Sequence, residues 1–142
     1  MYGENAVAVV ELFKNNPELL KSILDDQKAL RNIWIDGMKK RTESKDSQEK
    51  YCPWGAFLGL CEQGEIDGIE AGSYSSSSED NVNKEYALIL VKLIAEKPEI
   101  RLNRNNLWKE FGKIIGKELS KNGQMDVVIA LWNAGYLKKS HP

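Results

Sequence analysis

Two segments of this chain, "PWGAFLGLCEQGEI" at 53–66 and "QMDVVIALWNAGYL" at 124–137, carry large apolar residues at one shared spacing and then a glycine. Trp54, Phe57, Leu58, Cys61 and Gly64 of the first fall on Met125, Val128, Ile129, Trp132 and Gly135 of the second. The i, i+3, i+4, i+7 spacing puts those side chains on one face of an α-helix, and the glycine suits the left-handed residue that ends one. Apart from a possible short wing after each glycine turn, no alternating strand pattern of useful length is present. A chain patterned this way folds as helices packed on helices.

A second pair of segments repeats the theme. "ENAVAVVELFKNNPE" at 4–18 aligns without gaps on "EYALILVKLIAEKPE" at 85–99, with Pro17 on Pro98 and Ala6 on Ala87. Each predicts a helix stopped by proline, which cannot donate to the helical ladder and restricts the residue before it. Between these anchors, Leu20, Ile23, Leu24, Gln27, Leu30, Arg31 and Trp34 follow helical spacing in one half, and Leu107, Phe111, Ile114 and Ile115 in the other. "RTESKDSQEK" at 41–50 reads as a loop, and Ser-rich "AGSYSSSSEDNVN" at 71–83 as a flexible connector. The expectation is all-α: a single helical bundle of about six helices in one domain, 1–142, built from pseudo-repeated three-helix halves at 1–70 and 84–139, with duplication as their origin. At 142 residues the chain can bury one core without a disulfide or metal staple.

Both cysteines lie within "CPWGAFLGLCEQGEIDGI" at 52–69. Because proline suits the first helical position, Cys52 is expected at the N-cap, where the helix terminus and Lys50 would favour a reactive thiolate. Cys61 lies nine residues on, about 13 Å along a helix, which is beyond bridging distance. The single histidine, His141, sits at the far end of the chain, so neither a Cys-His pair nor a four-ligand zinc site can be assembled. The preferred reading makes Cys52 a partly buried cap and Cys61 a small core residue. Gly55 and Gly59, four apart, are expected to admit a neighbouring helix closely.

The formal net charge of −1 conceals an asymmetry: residues 84–142 hold 11 Lys+Arg against 6 Asp+Glu, and residues 1–83 hold 9 against 15. Lys109, Lys113, Lys117 and Lys121 recur every four residues, opposite the apolar face of their predicted helix, and Lys138 and Lys139 follow near the end. Such a stripe suits phosphates or an acidic partner, and the helical order loosely matches helix-turn-helix or winged-helix domains. Only Arg104, Asn105 and Asn106 are placed to read base edges. A solvated lysine face, or one that meets the acidic half, is the plainer reading.

Other signals are missing. Glu4 and Glu11 stand where an export signal would be basic, and the apolar run "YALILVKLIA" at 86–95 is broken by Lys92 and too short to span a bilayer. No Gly-rich phosphate loop, GxSxG elbow or HExxH helix occurs. The expected protein is cytoplasmic, has no membrane partner and no cofactor, and is not an enzyme. It is expected to bind another macromolecule, a protein, with nucleic acid as the alternative. Its four tryptophans, Trp34, Trp54, Trp108 and Trp132, mark the surfaces to inspect, although their spacing favours the core.

The cysteine-flanked motif, followed by a Tyr-containing linker and the closing "QMDVVIALWNAGYL", resembles a family of small bacterial proteins of unknown function over nearly the whole chain. The resemblance implies a bacterial, intracellular, stand-alone helical protein. It carries over no catalytic or binding residue.

Overall fold

The cysteine-bearing segment is helical from Tyr51 to Glu62, and every residue from Pro53 to Cys61 within it is buried. An all-round apolar helix can only be satisfied at the centre of a fold. In the computed structural model, which describes residues 1–24, 26, 28–74, 81–119 and 123–140, this helix is α5. It follows α1 (Tyr2–Asn15), α2 (Pro17–Ile23), α3 (Ala29–Lys39) and α4 (Lys45–Glu49). After it come α6 (Asn81–Glu96), α7 (Arg104–Ile115) and α8 (Gln124–Asn133), with 3-10 helices at Pro98–Leu102 and Lys138–Ser140. The fold is all-α, and among the described residues the only β pairing is an isolated bridge between Ile66 and Leu137.

α5 packs on α6 and α8, and α8 packs in turn on α1 and α6. α3 flanks α1, and α7 flanks α6. One apolar cluster runs through the middle, with Phe57 stacked on Trp34 at 5.1 Å and Trp54 tilted against Trp34 at 6.1 Å. Trp34 and Trp54 are closed off from solvent, and their indole N–H groups have no acceptor among the described residues. They are packing residues, and no interaction surface opens around either.

Both prolines act as the spacing predicts. Asn16 (φ −138°, ψ 73°) and Lys97 (φ −145°, ψ 77°) take nearly the same non-helical conformation before Pro17 and Pro98, and each proline opens the following helix. The glycine stops also correspond. Gly64 (φ 71°) and Gly135 (φ 77°) are left-handed. Beyond them Glu65 N–H donates to Leu60 O and Tyr136 N–H to Leu131 O, both at 3.0 Å. The two turns then hydrogen-bond each other reciprocally at 2.8 Å, Asp67 N–H to Tyr136 O and Lys138 N–H to Glu65 O.

Several expectations need correction. The helix predicted through 20–34 is interrupted: Asp26 Oδ1 accepts the Lys28 N–H at 3.0 Å, a local bond that competes with the helical ladder, and Leu24 is left exposed. Gln27 lies outside the described residues. Segment 41–50 contains α4, which Ser44 caps by accepting from Ser47 N–H at 3.2 Å. The described residues form eight α-helices, several of them short, against the about six expected. The connector is bounded differently too, since α6 begins at Asn81 and Tyr74 is buried. Glu62 anchors that end, taking the Tyr74 N–H at 2.9 Å and the Lys84 ammonium at 2.6 Å. The middle of the connector, 75–80, lies outside the described residues.

Candidate binding cleft on α7

Asn103 starts α7, its side-chain oxygen accepting the Asn106 N–H at 3.0 Å as an N-cap. Leu107 and Phe111 face inward and are buried, Phe111 meeting Tyr86 edge-on at 5.2 Å and Trp108 at 4.9 Å. Ile114 departs from the predicted apolar face and is exposed, while Ile115 packs against the core. Gly116 ends the helix in the left-handed region at φ 76°. Lys117 follows the stop, so it is not on the helix as its spacing suggested.

The turn builds a cleft. Both Gly116 N–H and Lys117 N–H donate to Gly112 O, at 2.9 and 3.2 Å, and a Cβ on Gly112 would crowd Lys117 O at 3.3 Å. The chain thus folds back over α7, where Trp108 Nε1–H donates to Leu119 O at 2.7 Å and tethers it. Between helix and returning strand of chain lies an open cleft of about 660 Å³, lined by Asn105, Trp108, Lys109, Gly112, Lys113 and Lys117, with Glu118 and Leu119 closing it.

Three of the predicted lysines therefore share one cleft by two routes: Lys109 and Lys113 stand a helical turn apart, and the glycine turn returns Lys117 beside them. All three are exposed. Lys113 pairs with Glu110 at 3.2 Å, an exposed contact worth at most about 1 kcal/mol. Among the described residues no carboxylate pairs with Lys109 or Lys117. Among the described residues, none from the acidic N-terminal half lines the cleft. Lys121 lies outside the described residues. Lys138 and Lys139 sit beside the Ile66–Leu137 bridge, Lys139 at 3.6 Å from Glu65, and they do not line this cleft.

Cys52 is the second residue of α5 and half-buried, with Lys50 taking the N-cap position expected of it. Pro53, the third residue of α5, fits within its first turn because N–H groups there have no intrahelical acceptor. Neither cysteine is in a disulfide. Burial, followed by the charge of Glu62, pushes the Cys61 thiol well above its ordinary range. Among the described residues, no group of three His, Cys, Asp or Glu side chains is arranged to hold a metal ion, and no helix is long and apolar enough to cross a membrane.

A family model described as a family of unknown function, DUF6979, matches residues 1–138. The chain belongs to that family. No curated protein and no solved structure matches it. Family membership thus accords with the resemblance and assigns no residue a role, so the chemistry of the α7 cleft must speak for itself. Sequence reasoning named its lysines but missed Trp108 and Leu119 as the pair that shapes it. The sign was the "GKIIG" spacing at 112–116, which places a turn residue where a continuous helix was expected.

Proposed function

We propose that this DUF6979 member is a non-enzymatic binding protein that engages a protein partner through the α7 cleft. One observation carries the reading: Lys109, Lys113 and Lys117 stand open around a partly apolar floor, where self-pairing with the acidic half would have covered them. A cleft with an aromatic floor and a charged rim is the usual anatomy of a protein contact. Two cysteines outside any disulfide suit the reducing interior of a cell.

The test is the triple substitution Lys109→Glu, Lys113→Glu, Lys117→Glu, checked for an unchanged melting curve. Proteins captured by the wild-type chain and lost with the variant support the reading. An identical set with both overturns it.

Nucleic acid is the second reading, favoured by the same uncovered lysines. Its weakness lies at the start of α7, where Arg104, one of the three residues placed to read base edges, is engaged with Asp126. Anisotropy titrations with duplex DNA and with RNA at two salt concentrations decide it, because phosphate contacts weaken steeply with salt.

The architecture fits two copies of one three-helix unit, 1–70 and 84–139, forming a single domain. Supporting this are the matched torsions at Asn16 and Lys97, the matched glycine turns, and their reciprocal hydrogen bonds.

A further inference from the structure

We infer that the α7 cleft is half of a longer groove, which continues past Trp108 and takes an extended acidic segment of the partner, with one apolar side chain seated at Trp108. The inference rests on the reading of the α7 cleft as a protein contact. Trp108 lines both that cleft and a second one of about 290 Å³, which is bordered by Tyr2, Lys50, Arg104, Met125 and Asp126. Trp108 therefore borders both depressions. Lys50 and Arg104, the latter paired with Asp126, line one, and Lys109, Lys113 and Lys117 the other.

Charge and spacing identify the occupant. Lys109 and Lys113 are one turn apart, a rise of about 6 Å. Two residues of extended chain cover about 6.7 Å, so alternate acidic side chains of an extended segment can meet both lysines. The groove also contains carboxylates, Glu118 in one depression and Asp126 in the other. A polyphosphate presents an anion at every step and would meet Glu118, whereas Asp126 is already paired with Arg104. A peptide of mixed sequence can set a neutral residue opposite each. Tyr2 and Lys50 come from the N-terminal half and the rest from the C-terminal half, so the groove exists only in the folded chain.

The experiment is selection of a phage-displayed library of random 12-residue peptides on the full chain. Synthetic copies of the enriched peptides are then titrated by fluorescence anisotropy. Expected are peptides with several Asp or Glu around one apolar residue. Their Kd should rise about fivefold or more for Lys50→Ala with Arg104→Ala, and similarly for Lys109→Ala with Lys113→Ala, as two solvent-exposed ion pairs lost together would give. No enrichment, or enrichment of peptides without acidic residues, overturns the inference. Sensitivity to Lys109 and Lys113 without sensitivity to Lys50 and Arg104 overturns the long groove and leaves the α7 site standing. Indifference to all four overturns both. Lysine-dependent, salt-sensitive binding of RNA or DNA in place of peptide keeps the site and overturns the acidic segment.

Discussion

α1 crosses α8 and α6 crosses α5 so closely that neither contact has room for a side chain, yet the glycine that permits each crossing sits on opposite partners. At the first, a Cβ on Gly3 would lie 2.5 Å from Asp126 O and 2.7 Å from Ala130 Cβ. At the second, a Cβ on Gly59 would lie 2.6 Å from Lys84 Cα and 2.8 Å from its Cβ. The alignment that sets Trp54 on Met125 also sets Gly59 on Ala130, and the one that sets Pro17 on Pro98 sets Gly3 on Lys84. The two contacts thus join the same two aligned positions. What matters at each crossing is one thin residue between two backbones, on whichever helix supplies it. The small residue changes sides between the two aligned positions, and both crossings stay close.

The strongest test of this comparison concerns what the two helices contribute to the core. Phe57 and Val128 occupy aligned positions and both are fully buried. Phe57→Ala should cost about 3–5 kcal/mol in urea denaturation, since it empties the space against Trp34, and Val128→Ala clearly less. Equal losses would mean that α5 is not the more central of the two. Next in size is Gly59→Ala. Its methyl would press on the backbone of α6, which cannot turn aside, so a loss of about 1–3 kcal/mol is expected even though alanine is the better helix former.

Much of this fold is legible in the sequence where the signal is a local one. The α5 and α8 helices, the Pro17 and Pro98 breaks, and the Gly64 and Gly135 stops follow from periodicity and backbone stereochemistry alone, whereas the burial of α5 on every side goes beyond the single face its spacing predicts. The misread stretches involve side chains that compete with hydrophobic pattern: Asp26 ends a run that apolar spacing would continue, and Ser44 caps a helix that carries no buried residue. Tyr74 looked like part of a polar connector because its anchor, Glu62, is twelve residues away. In the candidate site, the lysines were visible as a repeat. The tether from Trp108 to Leu119 and the approach of Lys50 were not, because they depend on how the chain turns at Gly116 and how the halves pack.

Gly3→Ala sharpens the comparison at smaller cost. Gly3 lies in the first turn of α1, where the helix can shift more readily than the centre of α5, so its loss should fall below that of Gly59→Ala. Adding Ala130→Gly removes the 2.7 Å contact but leaves Asp126 O at 2.5 Å, so the double variant should recover stability only in part. Full recovery would show that side-chain contact alone sets the crossing, and no recovery would show that the α8 backbone does.

The smallest effect belongs to one half only, because Cys61 aligns with Trp132, which has no ionisable group. The folded chain holds the Cys61 thiol protonated well above its ordinary range, chiefly through burial and secondarily through Glu62. An unfolded chain releases that proton at about pH 8.5. The folded state therefore binds the extra proton, its contribution is complete below that pH, and stability falls as the pH rises toward the folded value, by at most about 1.4 kcal/mol per unit. Tyr74, also raised by its burial and by Cys61, and Tyr136 titrate from a higher starting value, so the thiol dominates the low end of the window below about pH 10. In urea midpoints between about pH 8.5 and 10, Cys61→Ala should be less stable throughout for the cavity it leaves, yet decline less steeply than wild type. Cys52→Ala, at a half-buried position, serves as the control. If Cys61→Ala kept the wild-type slope, the thiol would have to be ionising in the folded chain, and α5 could not be the sealed interior helix on which the asymmetry between the two crossings depends.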